Sequence, residues 1–140
     1  RGFASPSVSA QSTHGGSLRF NSSSGNSLLE YVDIDRWGDN NYASIFGAVY
    51  IGSSSVTISK STIRNSEEYG IRMEYDAPSP NISNNTFINN PYGIKLSRGP
   101  ASPTITNNNF VNTPIGITGY IHVCSNISSN TNAVSPLMRR

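Results

Sequence analysis

The residues best equipped for chemistry fall in two short alternating stretches, Gly70-Ile71-Arg72-Met73-Glu74 and Gly93-Ile94-Lys95-Leu96-Ser97. Arg72 and Lys95 lie 23 residues apart and hold the same place in each. Apolar neighbours separate Arg72 from Glu74, so on an extended strand both point to one side. Two cations set side by side suit an acidic sugar. A Lys or Arg beside a like charge can also lose its proton more easily and serve as a base. Arg72, Glu74 and Lys95 are therefore the catalytic candidates. The competing reading is a solvated face on which the three merely neutralise one another.

Aromatic side chains extend the list. Trp37, Tyr42 and Tyr50 could form a platform for sugar rings, which present apolar C–H faces. Alternatively, Trp37 packs its loop onto the side of the body. Tyr120 continues the alternation that exposes Lys95, so the candidate substrate-binding set is Trp37, Tyr50, Arg72, Lys95 and Tyr120. Asp33 and Asp35 flank Ile34 on one side, a pattern compatible with a weak cation site or a glycosidase-like pair. His14 and His122 have no Ser/Asp partner pattern, so a nucleophilic triad is unsupported. No metal-type spacing surrounds Cys124, the single cysteine, which reads as a small half-buried residue. Neither a metal site nor a cofactor motif is evident.

An internal repeat positions these residues. Segments 56–80, 81–103 and 104–120 align without forcing. Ile58, Ile82 and Ile105 form one column, and Ile63, Phe87 and Phe110 a second. Gly70, Gly93 and Gly116 recur every 23 residues, each followed by isoleucine. Asn65, Asn89 and Asn112 form a further column, expected to be a ladder that satisfies the backbone of the turns. One repeat hides too few apolar residues to make a core, but stacked repeats place each Ile on the next. About 23 residues in three short strands is one coil of a parallel β-helix.

The pattern continues upstream. Leu29 and Ile34 match the spacing of Ile58 and Ile63, and 16-GSLRF-20 and 47-GAVYI-51 resemble the Gly-led strand. Extra residues between Ile34 and Gly47 predict a protruding loop. Downstream, Ile127 fits the Ile105 column, but its successors lack an apolar partner. The expected organisation is one all-β domain over 1–140. It has a Ser/Gly-rich lead or cap at 1–15, coils at 16–120, and a fading last coil at 121–140. Roughly five coils are expected, with open ends that could self-associate. The texture at both termini suggests a piece of a longer solenoid.

Composition agrees. Only 35% of the 140 residues are hydrophobic, while Ser numbers 24 and Asn 17. The 14 Ile are ordered in columns, which argues against disorder. The formal charge of +2 contains no Lys/Arg-rich run, so nucleic acid is not an expected partner. No apolar run is long enough for a helical membrane span. Thr57/Ser59, Asn81/Ser83 and Thr104/Thr106 make two parallel polar columns, a pattern that can order water or ice.

The stretch 81-NISNNTFINNPYGIKL-96 resembles the repeat of right-handed parallel β-helix proteins of the pectate-lyase-like superfamily, including their carbohydrate-binding and sugar-hydrolysis types. The resemblance covers about residues 16 to 120. It implies a ligand groove beside the Gly-led strands, and polysaccharide lyase, epimerase or glycoside hydrolase chemistry if the chain is an enzyme. It also implies an extracellular, periplasmic or cell-surface location, with a polysaccharide or other glycan as partner. The matched positions serve packing and turns, so the alternative is a non-catalytic structural solenoid segment.

Overall fold

The computed structural model describes residues 7–9, 16–21, 26–38, 47–52, 55–74, 79–97, 102–121, 126–133 and 137–139. The chain opens with β1 (Ser7–Ser9), β2 (Leu18–Phe20), β3 (Asn26–Glu30), β4 (Asp33–Asp35) and β5 (Val49–Ile51). The next two coils hold β6 (Ser55–Ser59), β7 (Thr62–Arg64), β8 (Tyr69–Met73), β9 (Asn81–Ser83), β10 (Thr86–Ile88) and β11 (Tyr92–Leu96). The last are β12 (Thr104–Thr106), β13 (Asn109–Val111), β14 (Ile115–Ile121), β15 (Asn126–Ser128) and β16 (Leu137–Arg139). Successive strands go to three different parallel sheets. The first is β1-β4-β7-β10-β13, the second β2-β5-β8-β11-β14-β16, and the third β3-β6-β9-β12-β15. Five or six strands per sheet match the expected number of coils.

Register follows the apolar columns. Leu29, Ile58, Ile82, Ile105 and Ile127 stack in the third sheet. Ile34, Ile63, Phe87 and Phe110 stack in the first. The second sheet contributes Val49, Ile71, Ile94 and Ile117. These residues form the core, with Leu29 and Ile127 partly buried against it, and each fully buried Ile or Phe is worth roughly 1.5–3 kcal/mol. Phe87 and Phe110 stack at 4.9 Å between centroids, with planes 14° apart.

Gly70, Gly93 and Gly116 exist to admit those rings. A Cβ on Gly70 would lie 2.8 Å from Gly93 O and 3.0 Å from Phe87 Cδ1. Upstream the column shifts by one residue from the sequence reading. Val49 pairs with Ile71, so Ala48, not Gly47, occupies the position equivalent to Gly70.

Two corner columns carry left-handed backbone. Lys60, Asn84 and Asn107 have φ of 50°, 58° and 56°; Asn65, Asn89 and Asn112 have 54°, 54° and 46°. Asn tolerates this region better than most residues. The role expected of Asn65, Asn89 and Asn112 therefore needs correcting. Asn89 Nδ2 donates to Asn65 Oδ1 at 3.2 Å, and Asn65 Nδ2 to Asp35 Oδ1 at 2.7 Å, so the Asn65 and Asn89 side chains link coils without reaching the backbone. The backbone is served one residue later. Asn90 Oδ1 accepts from Ser66 N, and Asn90 Nδ2 donates to Ile63 O. At the other corner Asn85, Asn108 and Asn130 do the same from coil to coil. Asn85, Asn90 and Asn108 are buried.

The ends reach further than the repeat suggested. β1 lies inside the segment expected to be a lead, with Val8 in register with Ile34. Beyond residue 120, β15 extends the third sheet and β16 the second. The first sheet dwindles to a single bridge between Asn109 and Thr131. Gly119, at φ +113°, passes so close to Leu96 that no side chain fits.

Candidate functional site

The outer face of the second sheet presents three rows of side chains along the axis. Each strand here exposes alternate residues, because its apolar partners are drawn into the core. The middle row is Arg19, Tyr50, Arg72, Lys95 and Thr118, paired strand by strand. On one side lie Tyr69 and Tyr92, in register with Ile115. On the other lie Gly52, Glu74, Ser97 and Tyr120, the residues that follow the next inward column.

Arg72 is the hub. Its Nε donates to Glu74 Oε1 at 2.8 Å, and each side chain is only 15% exposed. Its guanidinium carbon lies 5.7 Å from the centre of the Tyr69 ring. Tyr69 in turn packs on Tyr92, with centroids 5.1 Å apart and planes tilted by 40°. The two rings thus brace one another across adjacent strands. The Tyr50 ring leans over Gly52, where a Cβ would stand 3.1 Å from Tyr50 Cε1.

The electrostatics of the face are balanced. Burial pushes the Tyr69 hydroxyl up to about 12, with help from its hydrogen bond to Glu68 and the charge of that carboxylate. Burial also raises Tyr50, and next in weight comes the negative charge of Glu74, ahead of the opposing Arg72. Lys95 makes no ion pair among the described residues. Beside Glu74 the surface dips into a recess of about 10 Å³, lined by Met73, Glu74, Leu96, Ser97, Pro103 and Tyr120. That is room for about one water. Such relief suits an extended chain lying across the face better than an enclosed small molecule.

The family described as right handed beta helix region matches residues 7–134. The chain belongs to that right-handed β-helix family. A search of curated proteins found no match, and neither did a search of solved structures. The β-helix brings together Tyr50, Arg72, Glu74, Lys95 and Tyr120 from the sequence-derived candidates. It sets Trp37 apart. Trp37 follows β4 at a corner and packs against the core, with Cζ3 4.0 Å from where a Gly16 Cβ would stand. Its Nε1 is buried with no partner among the described residues.

Tyr69 and Tyr92 were missed. The signal was present, since both stand three residues ahead of the candidate cations in Tyr-Gly-Ile-Arg72 and Tyr-Gly-Ile-Lys95.

The other candidates resolve as follows. Arg64 grips Asp33 through two hydrogen bonds of 3.0 and 2.9 Å and lies 3.6 Å from Asp35. With Asn65 also on Asp35, this pair is a neutralised structural knot, not an open acid pair. Among the described residues no three His, Cys, Asp or Glu side chains gather as a metal site. Thr57, Asn81 and Thr104 do line up, as do Ser59, Ser83 and Thr106, but Ser59 is tied to Glu30 at 2.6 Å. His14, Tyr42, His122 and Cys124 lie outside the described residues. No helix is long and apolar enough to cross a membrane among the described residues.

Proposed function

We propose that the outer face of the second sheet binds carbohydrate, in an extracellular, periplasmic or cell-surface setting, without acting on it chemically. The observation that supports this most is the continuous middle row, in which Tyr50, Arg72 and Lys95 stand on adjacent strands with Glu74 and Tyr120 alongside. Parallel strands repeat such groups at about 4.8 Å, a regular series of hydrogen-bonding groups for a polymer of repeating hydroxyls. Tyr50 adds an aromatic surface, and Arg72 is held in place before any ligand arrives. Preorganisation of this kind reduces the entropy lost on binding.

Catalysis is not part of the proposal. A basic catalyst at Arg72 needs a like charge pressing on it, yet the group within hydrogen-bond reach is the carboxylate of Glu74. Glu74 is occupied by the same bond.

The same ion pair favours the second reading, a structural solenoid segment on which Arg72 and Glu74 simply neutralise one another. A broad polysaccharide array probed with the purified chain separates the two. Carbohydrate binding predicts a reproducible set of hits that Tyr50→Ala and Lys95→Ala weaken. An empty array, with both variants folded, would favour the structural segment.

A further inference from the structure

The sequence alone pairs Arg72 with Lys95 and so suggests an acidic sugar; the structure pairs Arg72 with Glu74. We propose, resting on the carbohydrate-binding reading above, that this face selects neutral glycans and rejects polyuronates, with Glu74 as the specificity-determining residue. Arg72 spends its Nε on the Glu74 carboxylate at 2.8 Å, and both groups are largely withdrawn from water. A uronate placed on Arg72 would sit beside Glu74 as a second carboxylate. In a site partly shielded from solvent that like-charge contact is costly.

The surrounding groups point the same way. Glu74 adjoins the recess shared with Ser97 and Tyr120, so its charge reaches the row beyond Arg72. Lys95 stands one strand from Arg72, and Arg19 two strands away toward the other end of the row. A single lysine on a flexible, solvated stem contributes little attraction and is easily screened. A neutral sugar meets none of these objections. Its hydroxyls donate to Glu74 and accept from Arg72 and Lys95, so one hydroxyl can bridge the ion pair without unbalancing it.

The decisive variant is Glu74→Gln. Gln keeps the oxygen that accepts from Arg72 Nε and removes only the charge. Titration calorimetry of the purified chain would use xylohexaose, cellohexaose and mannohexaose as neutral probes, with oligogalacturonate as the acidic one, each at low and high salt. The expected result is binding of at least one neutral probe that changes less than about twofold with salt, since no net charge is paired. Glu74→Gln should shift the ratio of oligogalacturonate to neutral-probe affinity about tenfold toward the acidic probe at low salt. Preferential, salt-sensitive binding of oligogalacturonate by the unmodified chain would overturn neutral selection and leave carbohydrate binding standing. An unchanged ratio in Glu74→Gln would overturn the role of Glu74. No binding of any probe would overturn both proposals together.

Discussion

Asn107 and Asn108 are neighbours of one type with opposite duties, and substituting them separately tests the corner geometry. Asn108 is fully buried. It accepts from Asn85 N at 3.0 Å and donates to Ile82 O at 2.9 Å, with further bonds to the amides of Asn85 and Asn130. In Asn108→Ala two buried backbone groups, Asn85 N–H and Ile82 C=O, lose their partner. At about 1–3 kcal/mol for each stranded group, the expected loss is about 4 kcal/mol. That is a large share of the roughly 5–15 kcal/mol that holds a typical domain together. Asn108→Asp should be as damaging at neutral pH, because its carboxylate faces Ile82 O and Asn130 Oδ1 without a proton to give.

Asn107 is exposed at φ 56°. Asn107→Ala should cost only about 1 kcal/mol, the penalty for an alanine in left-handed backbone. Asn107→Gly should fall within about 0.5 kcal/mol of the parent, since glycine adopts that conformation freely. Urea denaturation, followed in parallel by circular dichroism and by the fluorescence of Trp37, the single tryptophan, measures all four variants. Coincident transitions are needed before the differences are read as free energies. If Asn107→Ala costs as much as Asn108→Ala, the division between conformational and hydrogen-bonding asparagines is wrong.

Three other outcomes are expected. Gly93→Ala would drive a Cβ into Gly116 O and the Phe110 ring; neither can retreat, so urea titration should show a loss of about 3 kcal/mol or more. Tyr69 should ionise near pH 12 instead of 10, visible as a late phenolate absorbance step. A raised acid pKa in the folded state contributes stability that is present below the unfolded value and disappears as pH climbs through the folded one, so this increment should vanish between those two values. Glu30 behaves in the opposite sense. The Ser59 hydrogen bond first, and the Lys60 charge after it, hold Glu30 below its ordinary 4.5, so its stabilisation is present above that value and lost as pH falls through the lower one. Ser59→Ala should flatten the acid limb of a melting-temperature profile.

What was legible in the sequence was whatever stacks identically in every coil. Ile58 on Ile82 on Ile105 is plain in the sequence because burial admits few residue types and the period repeats them. Even Phe20, Leu29 and Ile127, at the margins, fell in register. The corners were harder. In the doublets Asn84-Asn85, Asn89-Asn90 and Asn107-Asn108 two identical side chains sit together, and letters alone do not tell which turns inward. The 23-residue period singles out Asn89, whereas the buried partner is Asn90. Gly47 was misplaced for a related reason, since Ala48 is small enough to take the glycine position. The ionic choices were the least legible. Arg72 had two candidate neighbours, Glu74 just past the end of its own strand and Lys95 on the next, and only side-chain geometry shows the carboxylate in contact.

The asparagine corners also set how this protein ages. Deamidation starts when the backbone nitrogen following an asparagine sheds its proton and attacks the side-chain carbonyl. At Asn65, Asn84, Asn89 and Asn107 that nitrogen belongs to Ser66, Asn85, Asn90 and Asn108. Each of those N–H groups is held by a side chain of the next coil: Asn90, Asn108, Thr113 and Asn130 in turn. A nitrogen engaged as a donor is a poor nucleophile. The coil that stacks on a corner therefore shields the exposed asparagine beneath it from self-cyclisation. In the unfolded chain the same asparagines lose that shield. Chemical half-life is thus tied to intact stacking, and a frayed coil would mark itself with new negative charge.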